Sequence, residues 1–374
     1  MGERFFRNEM PEFVREEAGE DETVSESKGT LKKLLSLPYR SFSEKLRRYA
    51  LSLKDTVVRE TWERSGKRVG DYTLYTGVLG TAYLLFKSYQ VTRNEEDLKL
   101  CSEIVESCYV ASRDSERVTF ICGQAGVCAL GAVAAKHFGD HQLQDRYLSR
   151  FHEITLPSGL PYELLYGRAG YLWACLFLNK HVGKESVSSA RMRSVVEEIF
   201  REGRQLGKRG GGCPLMYEWH GKRYYGAAHG LAGIMNVLLH MELEQDEIQD
   251  VAGTLSYMIR NRFTSGNYPS SEGSESDRLV HWCHGAPGVA LTLVKAAQVF
   301  RTQESVEAAM EAGEVVWNRG LLKRVGICHE KLISEGEMHG GDRPLSLFEG
   351  VGGMAYMFLD MNDPAQALFP GYEL

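Results

Sequence analysis

A pair of glycines separated by two residues recurs six times along the chain, and each pair opens a short, almost wholly apolar segment. The pairs are Gly77 and Gly80, Gly123 and Gly126, Gly167 and Gly170, Gly230 and Gly233, Gly285 and Gly288, and Gly350 and Gly353. The successive first glycines lie 46, 44, 63, 55 and 65 residues apart. A fixed motif that returns at distances of this order indicates a repeat architecture.

Most of the apolar segments are followed by a charged stretch whose apolar residues are spaced as on one face of a helix, for example residues 95–111, 187–206 and 305–318. One repeat is therefore predicted to be a helical hairpin, with one helix that must be buried and one that can face water. Two concentric helical layers satisfy both helices. The predicted fold is all-α, an α/α toroid of up to seven hairpins, with an open solenoid or an irregular helical bundle as the alternatives.

The sixth repeat departs from this pattern. Its glycine pair is expected near residue 330, but the chain continues from Gly326 as Gly-Ile-Cys-His-Glu-Lys-Leu without a second glycine. Only 20 residues separate Glu330 from Gly350. Because a full hairpin cannot fit into that length, the sequence predicts that the sixth hairpin is internally deleted.

Composition limits the function and the domain organisation. Residues 1–40 are highly charged and are predicted to be a flexible tail, while residues 41–374 are predicted to form one toroid domain. The net charge is −6 without a basic cluster, so nucleic-acid binding is not expected. No apolar run approaches the ~20 residues of a spanning helix, so transmembrane insertion is not expected. Eight cysteines without a secretion signal favour a reducing, cytoplasmic location.

The two residues before each first glycine are the predicted position of the chemistry, because equivalent positions of a ring of repeats lie at the same end. In repeats four to six this column contains His229, Cys283, His284, Cys328 and His329. Thiolate and imidazole groups are the ligands that zinc prefers in proteins. The column therefore indicates a zinc site, against the alternative of buried structural cysteines and histidines.

Four segments of the chain resemble the LanC-like proteins, eukaryotic relatives of bacterial lanthionine cyclases, in the form found in plants. They are residues 225–233 (Tyr-Gly-Ala-Ala-His-Gly-Leu-Ala-Gly), 281–288 (His-Trp-Cys-His-Gly-Ala-Pro-Gly), 326–329 (Gly-Ile-Cys-His) and 346–350 (Ser-Leu-Phe-Glu-Gly). The resemblance extends from about residue 40 to the C-terminus. It implies a seven-hairpin toroid with one central zinc ion held by Cys283, Cys328 and His329.

The resemblance also implies an activity. Bacterial members activate a peptide cysteine for addition to a dehydroalanine or dehydrobutyrine, and animal members bind glutathione and add it to such dehydroamino acids. For this chain it implies glutathione or another thiol as one partner, and a peptide or protein that contains a dehydroamino acid as the other.

The resemblance assigns roles to five further residues. His229 matches the general acid, Glu163 matches a carboxylate of the site, and Trp282 matches a wall of the site. Lys323 and Asp342 match positions that contact glutathione. One departure stands out, because Glu330 occupies a position, directly after a proposed ligand, at which the family has glycine.

Two other functions are compatible with parts of the sequence. A zinc- and glutathione-binding signalling protein of the same fold would bind without turnover, in line with a receptor-like role suggested for plant members, and would allow peripheral association with the plasma membrane. A toroidal glycoside hydrolase would need a pair of carboxylates across the sugar. The predicted column contains cysteine and histidine instead, which argues against a hydrolase.

Overall fold

The computed structural model describes residues 5–6, 38–209, 212–322 and 342–374. These residues contain twelve α-helices and one pair of two-residue strands. The helices are α1 (Tyr39–Val58, continued by a π-helical turn, Arg59–Glu63), α2 (Val78–Thr92), α3 (Glu95–Ala111), α4 (Gln124–Phe138), α5 (His141–Glu153), α6 (Arg168–His181), α7 (Ser189–Gly207), α8 (Leu231–Leu238), α9 (Gln245–Arg260), α10 (Ala286–Phe300), α11 (Gln303–Arg319) and α12 (Val351–Asp360), with a 3-10 turn at Pro364–Gln366. The strands β1 (Phe5–Phe6) and β2 (Leu321–Leu322) pair antiparallel.

The glycine pairs mark helix starts, as the sequence predicts. The first glycine of every pair is the N-cap of the apolar helix that follows it. The second glycine lies against the loop that leads into the helix. At Gly170 a β-carbon would stand 1.9 Å from the backbone oxygen of Leu164, a distance that no side chain tolerates. The motif is therefore required by the close approach of the loop to the first helical turn.

The helices form two layers. The helices that follow the glycine pairs are the inner ones, and α2, α4, α6, α8 and α10 pack in this order, each against the next. The amphipathic helices α3, α5, α7, α9 and α11 lie outside them. The last inner helix, α12, packs against α2 and against α1, so the first and last helices of the chain lie side by side. The predicted all-α toroid is confirmed.

The inner helices are not equally buried. In α4, twelve of the fifteen residues are buried, whereas in the equally apolar α10 only six of fifteen are. Large apolar side chains are exposed on α10, α11 and α12, among them Val294, Met310, Trp317 and Met357. A cavity of about 440 Å³ lies between α10 and α12, with Leu291 on one side and Met354 on the other. Among the described residues, exposed apolar side chains on repeats five and seven agree with the sequence prediction of a deleted sixth hairpin.

Two of the predicted segments lie largely outside the residues that the structure describes. Of the predicted tail, residues 1–4 and 7–37 lie outside the described residues, and so do residues 323–341 of the sixth repeat.

One cluster of buried apolar residues extends from Ala50 to Tyr372. Within the described ranges, no helix has the length and apolar character needed to cross a membrane.

Candidate functional site

The loops before the inner helices lie side by side at one end of the ring. The Leu74 amide donates to the Ile121 carbonyl at 2.8 Å, and the Leu165 amide donates to the Ala228 carbonyl at 3.3 Å. The backbone at Gly226 approaches Cys283 so closely that a β-carbon would stand 2.0 Å from the Cys283 oxygen. These contacts join repeats one to two, three to four and four to five, and they confirm that the column residues of these repeats lie at one height.

His229 and Glu163 meet at this end of the ring. The Nδ1 atom of His229 lies 2.7 Å from Oε2 of Glu163, across 66 residues of sequence. Glu163 is only 2% exposed, and it also accepts hydrogen bonds from the amides of Leu165 (2.9 Å) and Tyr166 (2.5 Å). Three donors hold the carboxylate in place, so it can fix the tautomer and the orientation of the imidazole. The remaining ring nitrogen, Nε2, is then the one available for proton transfer.

Aromatic rings surround His229. Trp219 stacks on the imidazole with ring centroids 4.2 Å apart, and Tyr166 lies nearly parallel to it at 6.0 Å. Tyr224 lies at 6.0 Å and His284 at 6.4 Å. Trp219, Tyr224 and Tyr166 are not among the site residues that the sequence predicts. Tyr166 could have been found from its place in the column, but the other two come from the long connection between repeats three and four.

Burial determines the charge of His284. Its pKa is lowered to about 4, first because burial penalises the imidazolium and then because His229 and His281 lie nearby. The ring is therefore neutral at neutral pH. Its Nδ1 atom is buried and has no hydrogen-bond partner among the residues that the structure describes.

Cys283 and Trp282 lie in the wall of the cavity between α10 and α12. Cys283 is half-buried, whereas Trp282 is 8% exposed. Trp282 stacks on Phe369 at 5.4 Å and contacts Phe348 at 5.2 Å. Trp282 is therefore a buried side chain in the wall of the same cavity as Cys283.

Of the three proposed zinc ligands, the described residues include only Cys283. Cys283 lies at the end of the ring where the loops meet, and sulfur is a donor that suits zinc. The other two proposed ligands, Cys328 and His329, lie outside the described residues, as does Lys323. Within residues 38–209, 212–322 and 342–374, no three His, Cys, Asp or Glu side chains are grouped closely enough to hold a metal ion. Asp342 is exposed at the start of the segment that leads into α12.

Among the described residues, the other six cysteines are buried, whereas Cys283 is half-buried. Burial raises the pKa of Cys122, Cys128, Cys175 and Cys213 to about 12 and raises that of Cys101 and Cys108 further. A thiol that stays protonated at neutral pH is neither a nucleophile nor a good ligand. These six cysteines therefore serve as small buried side chains.

A toroid with this double helical layer is the fold of nisin cyclase. The two structures superpose with a TM-score of 0.61 over 85% of this chain and 95% of the cyclase, at 15% sequence identity. The likeness shows that the fold of this chain is an α/α toroid.

The chain belongs to the lanthionine synthetase C-like protein family, whose sequence model matches residues 68–329 and 330–374. It is 41% identical to the LanC-like protein GCL1 of Arabidopsis thaliana over 396 aligned positions, which cover 91% of this chain and 90% of the relative. It is 35% identical to the glutathione S-transferase LANCL1 of Danio rerio over 347 positions, which cover 81% of this chain and 85% of the relative. The resemblance to the LanC-like family is confirmed.

The same comparisons bear on the sixth repeat. The family match is interrupted between residues 329 and 330, at the point where the repeat spacing fails. The alignment with the Arabidopsis relative has 396 positions, more than the 374 residues of the chain, so that relative has residues without a counterpart here. The interruption of the family match supports an internal deletion after His329.

Proposed function

We propose that this chain adds the thiol of glutathione to dehydroamino acids in peptides or proteins, with one zinc ion as cofactor. The observation that carries the proposal is the His229–Glu163 pair, held at 2.7 Å beside the loop of Cys283. The name of the zebrafish relative, a glutathione S-transferase, supports a thiol substrate. Membership of the LanC-like family supports the addition chemistry.

The reaction needs a nucleophile and an acid. The sulfur of the thiolate forms a bond to the β-carbon of the dehydroamino acid, and the electrons of the C=C double bond move towards the α-carbon as an enolate. Protonated His229 then gives the proton on Nε2 to the α-carbon, and the next thiol returns a proton to the imidazole. Glu163 stabilises the charged ring and keeps Nε2 directed at the substrate.

Zinc, when held by Cys283, Cys328 and His329, would lower the pKa of the bound thiol from its ordinary ~8.5 and so supply the thiolate. The chain itself provides the enclosure. Trp282 and Phe348 are apolar walls beside Cys283, and walls of this kind exclude water and strengthen electrostatic interactions.

The test is a turnover assay with glutathione and a peptide that contains dehydroalanine, combined with measurement of bound zinc. The parent protein is expected to form the thioether. His229→Asn should keep its fold and its zinc and lose about 10²–10⁴-fold in rate, the range by which general acids act. Cys283→Ala should lose most of the metal. Stoichiometric zinc in a Cys283→Ala, Cys328→Ala double variant would disprove the assigned site.

The second candidate is a zinc- and glutathione-binding signalling protein, favoured by the open ring between α10 and α12, which would disturb the ligand geometry. It predicts glutathione binding by calorimetry without thioether formation. A rate in the parent protein no higher than the uncatalysed rate, with glutathione bound, would favour this function over the enzyme.

A further inference from the structure

Trp219 lies in a small β-hairpin in the connection between α7 and α8. Trp219 and Lys222 exchange both backbone hydrogen bonds, at 2.9 and 3.1 Å. The two residues between them, His220 and Gly221, have φ angles of 50° and 71°. Positive φ at both central residues is the requirement of a type I′ turn, which matches the twist of the strands on either side.

The hairpin is fixed to the neighbouring repeat. The Tyr225 amide donates to the Ser270 carbonyl at 3.2 Å, and the Glu272 amide donates to the Arg223 carbonyl at 2.8 Å. The Arg223 guanidinium also donates to the Glu272 carboxylate at 2.9 Å. These bonds hold the base of the hairpin to residues 270–272, between α9 and α10, so the position of Trp219 is set by two repeats together.

The hairpin places the indole of Trp219 against one face of the His229 ring. The two ring planes are 26° apart with centroids at 4.2 Å, and the half-buried Trp219 lies at the same time 5.9 Å from Tyr166. His229 is thus restrained in two ways: Glu163 holds its Nδ1 edge, and Trp219 covers one of its faces. Rotation of the imidazole about its side-chain bonds would break the hydrogen bond or collide with the indole.

We propose that Trp219 is a positioning residue that fixes His229 for proton transfer, and that the hairpin of residues 219–222 is its rigid support. The inference depends on the proposed function of His229 as the proton donor. Proton donors act within a narrow range of distance and direction, and a displacement of about 1 Å can cost on the order of 10²-fold in rate. An indole suits this task because it offers a large flat face and has few rotatable bonds.

Trp219→Ala and Trp219→Leu test the role, with Trp219→Phe as the conservative replacement and Lys222→Ala as the matched control on the same hairpin. In the glutathione addition assay, Ala and Leu are expected to lower kcat by about 10–10²-fold with little change in the KM for glutathione. Phe should restore most of kcat, and the Lys222 variant should equal the parent. Trp219→Leu keeps a large apolar side chain at this position, so a fall in its kcat would not reflect a failure to fold.

A second measurement does not depend on turnover. The ring protons of His229, assigned through His229→Asn, should be shifted by the indole ring current in the parent. The shift should disappear in Trp219→Leu and remain in Lys222→Ala. An inactive parent with these shifts would overturn the proposed enzyme while leaving the stacking intact. Unchanged His229 resonances or unchanged kcat in Trp219→Leu would overturn the positioning role itself.

Discussion

Glu163 and His229 illustrate what a single residue position can and cannot reveal. His229 stands in the repeat column, and Glu163 was assigned only through the family resemblance. No feature of the sequence indicates that the two side chains are in contact. The fold brings them to 2.7 Å and surrounds the carboxylate with two backbone amides, which together give the pair its geometry. The same fold supplies Trp219, which no spacing in the sequence indicated.

Buried histidines should make the protein sensitive to mild acid. The pKa of His240 is lowered to about 4, chiefly by burial and further by Lys295 and Lys180, although its Nδ1 bonds the Asn236 carbonyl. Because the folded-state pKa lies below the unfolded value of about 6.5, the unfolded chain binds the proton first. Stability is therefore complete above about pH 6.5 and falls as the pH drops towards 4.

The expected loss from His240 alone is about 1–2 kcal/mol of unfolding free energy between pH 7 and pH 5. Urea denaturation at the two pH values should show a smaller difference for His240→Gln than for the parent. His141→Gln, at an exposed position of α5, controls for the removal of a histidine. A pH dependence in the His240 variant as steep as in the parent would contradict the assignment.

At the scale of the element, each helical hairpin depends on the contact between a loop and the first turn of an inner helix. The sequence predicts this contact through its paired glycines, and the structure gives its reason. At Gly170 the backbone oxygen of Leu164 and the side chain of Thr119 occupy the space that a β-carbon would need. The glycine is thus selected by close packing, since its own φ is not in the left-handed region.

Gly170→Ala is expected to lower the free energy of unfolding by about 1–3 kcal/mol, the usual cost of overpacking. Gly313→Ala is the matched control, because Gly313 lies in the exposed face of α11 and a β-carbon there would contact nothing within 4 Å. It should stabilise the helix by about 0.5–1 kcal/mol. Chemical denaturation of both variants measures the difference. Equal effects in the two would mean that the loop contact adds nothing beyond helix propensity.

At the scale of the whole molecule, the dominant feature among the described residues is the exposed apolar surface of α10 and α12. An inner helix of a closed ring is covered by a neighbour on each side, as α4 is by α2 and α6. On α10 the apolar Val294 and Val299 remain 43% and 46% exposed, and Met357 on α12 is 50% exposed. The C-terminal segment partly spans the gap, since the Tyr372 hydroxyl lies 2.6 Å from Thr292 of α10 and its carbonyl accepts from Asn236 of α8.

Restoring the sixth hairpin should stabilise the protein. The variant carries, between His329 and Glu330, a glycine-containing helical hairpin of about 40 residues, the length of one repeat. Covering even three or four large apolar side chains contributes about 1.5–3 kcal/mol each, against a net stability of about 5–15 kcal/mol for a folded domain. We expect a higher Tm, less aggregation and higher zinc occupancy than in the 374-residue chain.

The control for this variant is a Gly/Ser insertion of the same length at the same point, which adds chain without an apolar helix. Thermal unfolding, light scattering and zinc content are compared across the three proteins. Equal melting temperatures and equal zinc occupancy in the parent and the restored form would show that the ring is complete without that hairpin.

The sequence by itself determined the class of fold, the start of each inner helix and the break in the sixth repeat. It could do so because burial, helical periodicity and glycine at close contacts are local requirements that recur with each repeat. The tertiary structure alone decided which repeats are neighbours, that α1 pairs with α12, and that Glu163 and Trp219 both contact His229. These relations depend on how the hairpins close into a ring, and the distances across a ring leave no trace in the order of residues along the chain.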